Sequence, residues 1–147
     1  MSKAHWLRRW GPSIAGAIAI WFLSTQAFSD IQTGRVILPA LAWLFPWMSP
    51  RTLVFCHKAI RKLAHVSVYF GFGVLLLQAI RGDRKGWHGT WAVAAFAIAV
   101  GYAVLDEFHQ SFVPFRHPSA RDVFLDACGA FAAQIVVWWH SQMREKE

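Results

Sequence analysis

Long uncharged stretches divide this chain, and their lengths match those of helices that cross a lipid bilayer. Residues 10–29, 63–80 and 86–105 carry no Asp, Glu, Lys or Arg, and residues 123–143 carry only Asp126. A spanning helix needs about 20 consecutive apolar residues. One soluble core in a chain of 147 residues would not bury four such stretches. The pattern therefore predicts an all-α, polytopic membrane protein built as a four-transmembrane-helix bundle.

We predict one domain over residues 1–147. Its spanning helices are expected at about 11–29, 62–80, 88–105 and 120–140. A further apolar stretch, 36–48, is too short to span a bilayer and contains Pro39 and Pro46. Backbone groups that proline frees cannot stay unpaired in hydrocarbon. This stretch is therefore predicted to be a short interfacial or re-entrant segment after the first helix.

Charge and composition set the expected orientation and partners. If the N-terminus is cytoplasmic, that side holds eight of the 15 Lys and Arg residues, and most of the other seven belong to polar motifs. Several of the nine Trp fall near the inner interface, as in an aromatic belt. We predict a multi-pass protein of the inner (plasma) membrane with both termini cytoplasmic. The net charge of +7 favours anionic headgroups on that side, and without a soluble basic face the chain is not predicted to bind nucleic acid.

Three polar blocks lie at the ends of the apolar stretches. They are Lys62-x-x-His65-x-x-x-Tyr69, Asp106-Glu107-x-x-Gln110 and Pro114-x-Arg116-x-x-Ser119-x-x-Asp122-x-x-x-Asp126. Hydropathy places all three on the same, outer face of the membrane. Ionisable groups at such depths are costly and usually functional. The blocks are thus the candidate site.

Helical spacing gives the first block a direction. Lys58, Lys62, His65 and Tyr69 follow i, i+4, i+7, i+11 spacing, so they form one polar stripe if their helix begins before Lys58. His65 and Tyr69 would be the deep members of this stripe.

Two acids of the third block repel each other. Asp122 and Asp126 lie one helical turn apart on one face. Their repulsion could be relieved by Lys62, Arg116 or His65, by a bound cation, or by a proton retained on Asp126.

Some of these residues also have structural explanations. Ser119 is more readily explained as a helix cap that accepts from the amide of Asp122 than as a catalytic group. Arg116 could pair with Asp106 or Glu107 in a purely structural ion network. A buried pair often gains less than apolar packing would, so we favour a functional pocket.

Other charged and small residues have simpler roles. His57, Lys58, Arg61 and Arg121 are interpreted as solvated interfacial charges. A transition-metal site of His109 and His117 with Asp106 or Glu107 is not favoured, because no helix-borne pair of ligands supports it. Hard-cation binding by Asp106, Glu107, Asp122 and Asp126 remains open. Gly71 and Gly73 suit close helix approach.

In combination, these motifs resemble the VanZ-like membrane proteins from about Lys62 through Gly129. The family pattern has Lys-x-x-His opening a helix with an aromatic one turn on, here Lys62, His65 and Tyr69. It continues with Asp-Glu-x-x-Gln, here Asp106, Glu107 and Gln110, and with a Pro-Gly-Arg-like turn before an Asp, here Pro114, Phe115, Arg116 and Asp122, then Gly129. Phe115 replaces the usual small residue, and Asp126 stands where the family more often has Asn. The resemblance implies a bacterial cell-envelope function linked to resistance against lipid-tailed glycopeptide antibiotics such as teicoplanin, and it implies no particular reaction.

The preferred hypothesis is a pocket open to the outer leaflet, between the second and fourth predicted helices, that recognises a membrane lipid or lipid-linked envelope intermediate. Lys62 and Arg116 would engage the headgroup. The full predicted ligand-binding set is Lys62, His65, Tyr69, Asp106, Glu107, Gln110, Arg116, Ser119, Asp122 and Asp126. No cofactor and no metal are predicted, and the oligomeric state is left open.

Two alternatives use the same residues. A lipid phosphoesterase or transferase would take Glu107 or His65 as general base, with Asp122 as a further catalytic candidate, while Arg116 and Lys62 stabilise charge on phosphate. A structural partner subunit would use the cluster only to hold the bundle together.

Overall fold

The computed structural model describes residues 3–114 and 118–144, which include five α-helices. In chain order these are α1 (Lys3–Leu23), α2 (Asp30–Leu44), α3 (Pro50–Arg81), α4 (Gly89–Gln110) and α5 (Ala120–Arg144), with a short 3₁₀ helix at Gln26–Phe28. The described residues contain no strand, so the all-α prediction is confirmed. Helices α3, α4 and α5 are each long and apolar enough to cross a membrane. Helix α1 meets that test only together with the segment Gln26–Leu44, from which it is bent by 71°. Three or four spans result, which is compatible with the predicted four-helix bundle.

The first apolar stretch contains a helix end that hydropathy does not register. The first helix was expected over 11–29, but α1 ends at Leu23. The hydroxyl of Ser24 donates to the carbonyl of Ile20 at 3.0 Å, and the hydroxyl of Ser29 accepts from a backbone amide in the first turn of α2. Short polar side chains that bond to nearby backbone groups favour helix ends over helix interiors. The chain therefore turns inside the uncharged stretch.

Helix α2 occupies the stretch that was expected to be interfacial or re-entrant. It begins at Asp30, earlier than the predicted 36–48, and contains Pro39. Its outer side and the following turn expose Val36, Trp43 and Trp47. Because these large apolar side chains are mostly uncovered by the protein, they are suited to contact lipid.

Helix α3 is much longer than the predicted 62–80. It begins at Pro50, because the hydroxyl of Ser49 accepts from the amide of Thr52 at 3.2 Å and proline suits the first turn of a helix. Lys58 therefore lies well inside the helix, which is the condition under which the polar stripe from Lys58 to Tyr69 forms.

Helices α4 and α5 also continue past their predicted ends at residues 105 and 140. Asp106 and Glu107 lie in the last two turns of α4, and both are buried. The prediction ended the helix where the apolar run ended, but backbone hydrogen bonding continues through polar residues when neighbouring helices cover them. The second polar block is thus part of a helix.

Helix α3 is central, since it packs against each of the other four helices. Its contact with α5 uses small residues: a Cβ added at Gly73 would lie 3.1 Å from Ala133 Cβ and 3.2 Å from Ala130 Cα. A Cβ added at Gly129 would overlap the carbonyl oxygen of Val66. Small residues allow helix backbones to approach closely in membranes. The expectation is confirmed for Gly73, whereas a Cβ at Gly71 would meet nothing within 4 Å.

Candidate functional site

Charged residues of α3 and α5 face each other in pairs. Lys62 Nζ lies 3.8 Å from Asp122 Oδ1, and His65 Nδ1 lies 3.5 Å from Asp126 Oδ1. The spacing of three residues on α3 matches the spacing of four on α5, because both equal about one helical turn. Asp126 is 0% exposed, whereas the Lys62–Asp122 pair is partly solvated. Two of the candidates predicted to relieve the repulsion, Lys62 and His65, therefore contact one carboxylate each.

The second polar block ties α4 to α5. Gln110 Nε2 donates to Asp106 Oδ2 at 2.9 Å along α4. Glu107 Oε2 accepts from the backbone amide of Ser119 at 2.7 Å, directly before α5 begins. Glu107 also interacts electrostatically with the acids of α5, including Asp122. The structure thus brings the described members of all three blocks to one end of the bundle.

Ser119 caps α5 in a different way from the predicted one. Its hydroxyl accepts from the amide of Arg121 at 3.2 Å, not from that of Asp122. The amide of Asp122 instead donates to the carbonyl oxygen of Ser119 at 2.9 Å. The predicted capping box is wrong in its donor, which is the amide of Arg121. The carboxylate of Asp122 faces Lys62 and does not take part in the cap.

Arg116 was predicted to be a headgroup cation, and it lies outside the described residues. Phe115 and His117 also lie outside the described residues. The possible pairing of Arg116 with Asp106 or Glu107 stays a prediction, and the site is described below from the remaining residues.

A cavity of about 170 Å³ opens beside α3, between that helix, α1 and α2. Its apolar walls are Ile20, Leu23, Phe28, Ile37, Ile60, Ala64 and Val68. Its polar lining is Ser24, Thr33, Arg61, His65, Tyr69 and Asp106. The predicted pocket between α3 and α5 does not match this position, because the small residues at that interface let the two backbones close on each other. The cavity lies on another face of α3, under the bend between α1 and α2.

Two buried polar atoms in the cavity lining have no hydrogen-bond partner among the described residues. They are Oδ1 of Asp106, a residue 2% exposed, and the hydroxyl of Tyr69, a residue 1% exposed. A buried polar group without a partner costs about 1–3 kcal/mol. Both atoms are therefore suited to bond a molecule that enters the cavity.

A second polar cluster was missed, because His57 and Arg61 were interpreted as solvated charges. His57 is buried, with Nε2 at 3.2 Å from Thr33 Oγ1. Arg61 donates to Thr33 Oγ1 at 2.8 Å and to the carbonyl of Phe28 at 2.9 Å, and pairs with Asp30 at 3.3 Å. This cluster fastens α2 to α3 and directs Arg61 to the cavity. Asp30 was the sequence feature that could have revealed this cluster, since it directly follows the first apolar stretch and its charge is opposite to that of Arg61.

Within the described part of the chain, no group of three or more His, Cys, Asp and Glu side chains is arranged to hold a metal ion. The four acids considered for a hard cation are divided among different partners. Asp122 faces Lys62, and Asp126 faces His65. His109, considered as a metal ligand, stacks on Trp21 with ring centroids 3.7 Å apart.

Comparison with known proteins identifies one family. The family model for VanZ/LLP1 matches residues 12–141. No curated protein and no solved structure matches the chain. The matched range overlaps all five helices and contains all three polar blocks, and it agrees with the resemblance drawn from the motifs. The chain therefore belongs to the VanZ/LLP1 family.

Proposed function

We propose that this protein binds a lipid-tailed amphiphile in the cavity beside α3. The observation that carries the proposal is a largely apolar wall that ends in a few buried polar groups. Binding sites for small molecules typically combine an apolar lining with a small number of polar groups that fix orientation. The apolar wall would hold the tail, and the polar groups would hold the headgroup.

The unpartnered atoms indicate what the headgroup must supply. Asp106 Oδ1 accepts hydrogen bonds, so the headgroup needs a donor such as an ammonium, hydroxyl or amide group. Arg61 adds a cation to the lining, although Asp30 partly neutralises it. Lys62 was the predicted headgroup cation, but it faces Asp122 and is not among the residues that line the cavity. Arg61 takes that role in the present proposal.

The cellular setting is also part of the proposal. We infer an inner (plasma) membrane protein of the bacterial envelope, with both termini cytoplasmic and the cavity near the outer leaflet. The Lys and Arg residues divide eight to seven in favour of the opposite end, which supports this orientation. A lipid-tailed glycopeptide such as teicoplanin has an acyl tail and amide donors, and it therefore belongs to the proposed ligand class.

Two zwitterionic phospholipids, one with an ammonium group that donates hydrogen bonds and one with a trimethylammonium group that cannot, test the headgroup assignment. Native mass spectrometry of delipidated protein should show phosphatidylethanolamine binding about tenfold more tightly than phosphatidylcholine, because only the former donates to Asp106. Asp106→Asn should remove most of this preference. The control is Asp122→Asn, at a partly exposed acid of α5 that does not line the cavity.

Filling the cavity tests its location. Ala64→Phe should abolish binding of both lipids, whereas Ala94→Phe, at an exposed position on α4 outside the cavity lining, should leave binding unchanged. If folded Ala64→Phe protein retains both lipids, the ligand binds elsewhere and the proposal fails.

One observation favours an enzymatic alternative. His65 lines the cavity while its Nδ1 lies near the buried carboxylate of Asp126. A carboxylate that orients a histidine is typical of general-base catalysis. Glu107 is a weaker candidate, because it accepts from the Ser119 amide and does not line the cavity. Incubation with polyprenyl phosphate, with products followed by mass spectrometry, tests this alternative: turnover lost in His65→Gln would favour it, and retention of unconverted lipid would favour binding alone.

A further inference from the structure

We propose that a second site, at the opposite end of the bundle, binds a phosphate group. This site, the arginine pocket, is formed by Arg8 and Arg9 of α1 and by Arg81 at the end of α3. Its volume is about 320 Å³. The proposal is independent of the amphiphile cavity, because the two sites share no residue.

Arg9 forms the fixed part of the arginine pocket. Its Nη2 donates to the carbonyl of Ile80 at 2.9 Å, and its Nε donates to the carbonyl of Ala79. Its guanidinium packs over Gly82, where an added Cβ would lie only 3.0 Å from Arg9 Cζ. Gly82 has φ +60°, a backbone conformation that glycine adopts without a steric penalty. The cation is therefore held against the last turn of α3, whose carbonyl groups carry partial negative charge.

Arg8 and Arg81 provide positive charge that the protein itself does not neutralise. Among the described residues, neither side chain makes a hydrogen bond or ion pair, and Arg81 Nε is buried without a partner. The one acid in the lining, Asp83, lies 3.2 Å from His5. Three arginines thus share a pocket with a single acid that already has a partner.

Phosphate is the anion that fits this arrangement. Guanidinium groups bind phosphate oxygens through parallel hydrogen bonds, and such charge-assisted bonds are stronger than neutral ones. A phosphate would supply the acceptor that Arg81 Nε lacks. Pro12 and Leu75 add apolar surface to the lining, which suits the glycerol and first acyl carbons of an anionic lipid, while a soluble phosphate ester would use the arginines alone.

Binding to delipidated protein in nonionic detergent tests the proposal, with phosphatidylglycerol and soluble glycerol phosphate as separate probes. Native mass spectrometry should detect at least one of them on the wild-type protein. Arg81→Gln and Arg8→Gln should each weaken that binding about tenfold, the effect of losing one charge-assisted contact. Since Arg8 is exposed and its side chain makes no hydrogen bond or ion pair among the described residues, its replacement should not impair folding. The control is Arg144→Gln, which removes the same charge in the last turn of α5 but outside the arginine pocket.

The outcomes separate the sources of phosphate and the competing explanation. Binding of phosphatidylglycerol but not of glycerol phosphate identifies a lipid headgroup site, and binding of both identifies a general phosphate site. Loss of binding in Arg144→Gln equal to that in Arg81→Gln would attribute the effect to net charge and overturn the proposal. If neither phosphatidylglycerol nor glycerol phosphate binds, the proposal is also overturned. Because Arg8 and Arg81 lie away from the amphiphile cavity, and phosphatidylethanolamine and phosphatidylcholine both carry a phosphate, the preference of these variants for phosphatidylethanolamine over phosphatidylcholine shows whether that proposal stands independently.

Discussion

Replacement of Gly129 by alanine should separate α3 from α5 and weaken the bundle. The Cβ of alanine would overlap the carbonyl oxygen of Val66, and it would lie 3.1 Å from the Val66 carbonyl carbon and 3.2 Å from the Phe70 amide nitrogen. Carbon atoms pack best at about 3.5–4.0 Å, so the helices must move apart by roughly 0.5 Å or more. All of these atoms belong to the backbone of α3, and no side chain can rotate aside to make room.

The expected cost follows from two opposing effects. Overpacking of this kind costs about 1–3 kcal/mol, and the upper part of that range applies because backbone must move. Alanine also favours a helix over glycine by about 1 kcal/mol. We therefore expect a net loss of about 2 kcal/mol in the free energy of unfolding.

Unfolding in detergent, followed through tryptophan fluorescence, measures this difference. The control is Gly101→Ala on α4, where an added Cβ meets nothing within 4 Å and only the helical gain applies. If Gly129→Ala is as stable as Gly101→Ala, the two helices do not approach as closely as the structure indicates, and the position of the cavity on the other face of α3 loses its explanation.

Two further predictions concern the polar clusters. Asp126→Ala should destabilise the protein by about 1–3 kcal/mol, because the pair between His65 and the buried Asp126 loses one partner. Asp122→Ala should cost about 1 kcal/mol or less, since its pair with Lys62 is partly solvated. Equal losses of stability in chemical unfolding would contradict this ranking. Arg61→Met should loosen α2 from α3 and speed amide hydrogen exchange in α2, because it removes the hydrogen bond from Arg61 to Thr33. Lys58→Met, at an exposed site one turn earlier on α3, should leave that exchange unchanged. Unchanged exchange in both variants would show that Arg61 does not fasten α2.

Hydropathy and charge spacing predicted the all-α class and the spanning helices α3, α4 and α5, because apolar length is a direct requirement of a bilayer. The residues at which the helices begin and end were less predictable. At Ser24 and Ser29 local hydrogen bonds end one helix and begin another inside an uncharged run, and at Asp106 a helix continues into charged residues that its neighbours bury. Hydropathy reports depth in the membrane, whereas helix ends depend on the partners of individual backbone groups.

The site was predictable in its residues and less so in its shape. The matched turns on α3 and α5 are implied by the spacing of Lys62, His65, Asp122 and Asp126 once the two helices are placed as parallel neighbours. The cavity was not implied, because it depends on where α1 bends and on how Arg61 holds α2. Those contacts join residues far apart in sequence, and no local pattern records them.

The structural-subunit alternative makes a prediction opposite to that of the binding proposal at Tyr69. In a purely structural cluster the hydroxyl of Tyr69 would stabilise the bundle, and Tyr69→Phe would cost about 1 kcal/mol. In the structure that hydroxyl is buried and has no hydrogen-bond partner among the described residues. Its removal should then leave the free energy of unfolding unchanged or raise it by up to about 1 kcal/mol, because phenylalanine avoids the cost of burying a hydroxyl that has no hydrogen-bond partner.

The binding proposal expects Tyr69→Phe to reduce affinity for phosphatidylethanolamine while stability is kept, so the two measurements should move in opposite directions. The control is Tyr102→Phe: that hydroxyl donates to the carbonyl of Ala17 at 2.7 Å and fastens α4 to α1, so its loss should lower stability. Sites that bind ligands commonly retain unsatisfied polar groups at a cost in stability. If Tyr69→Phe destabilises the protein as much as Tyr102→Phe does and leaves lipid binding intact, the Tyr69 hydroxyl serves the fold, and the polar end of the cavity is a structural element of the bundle.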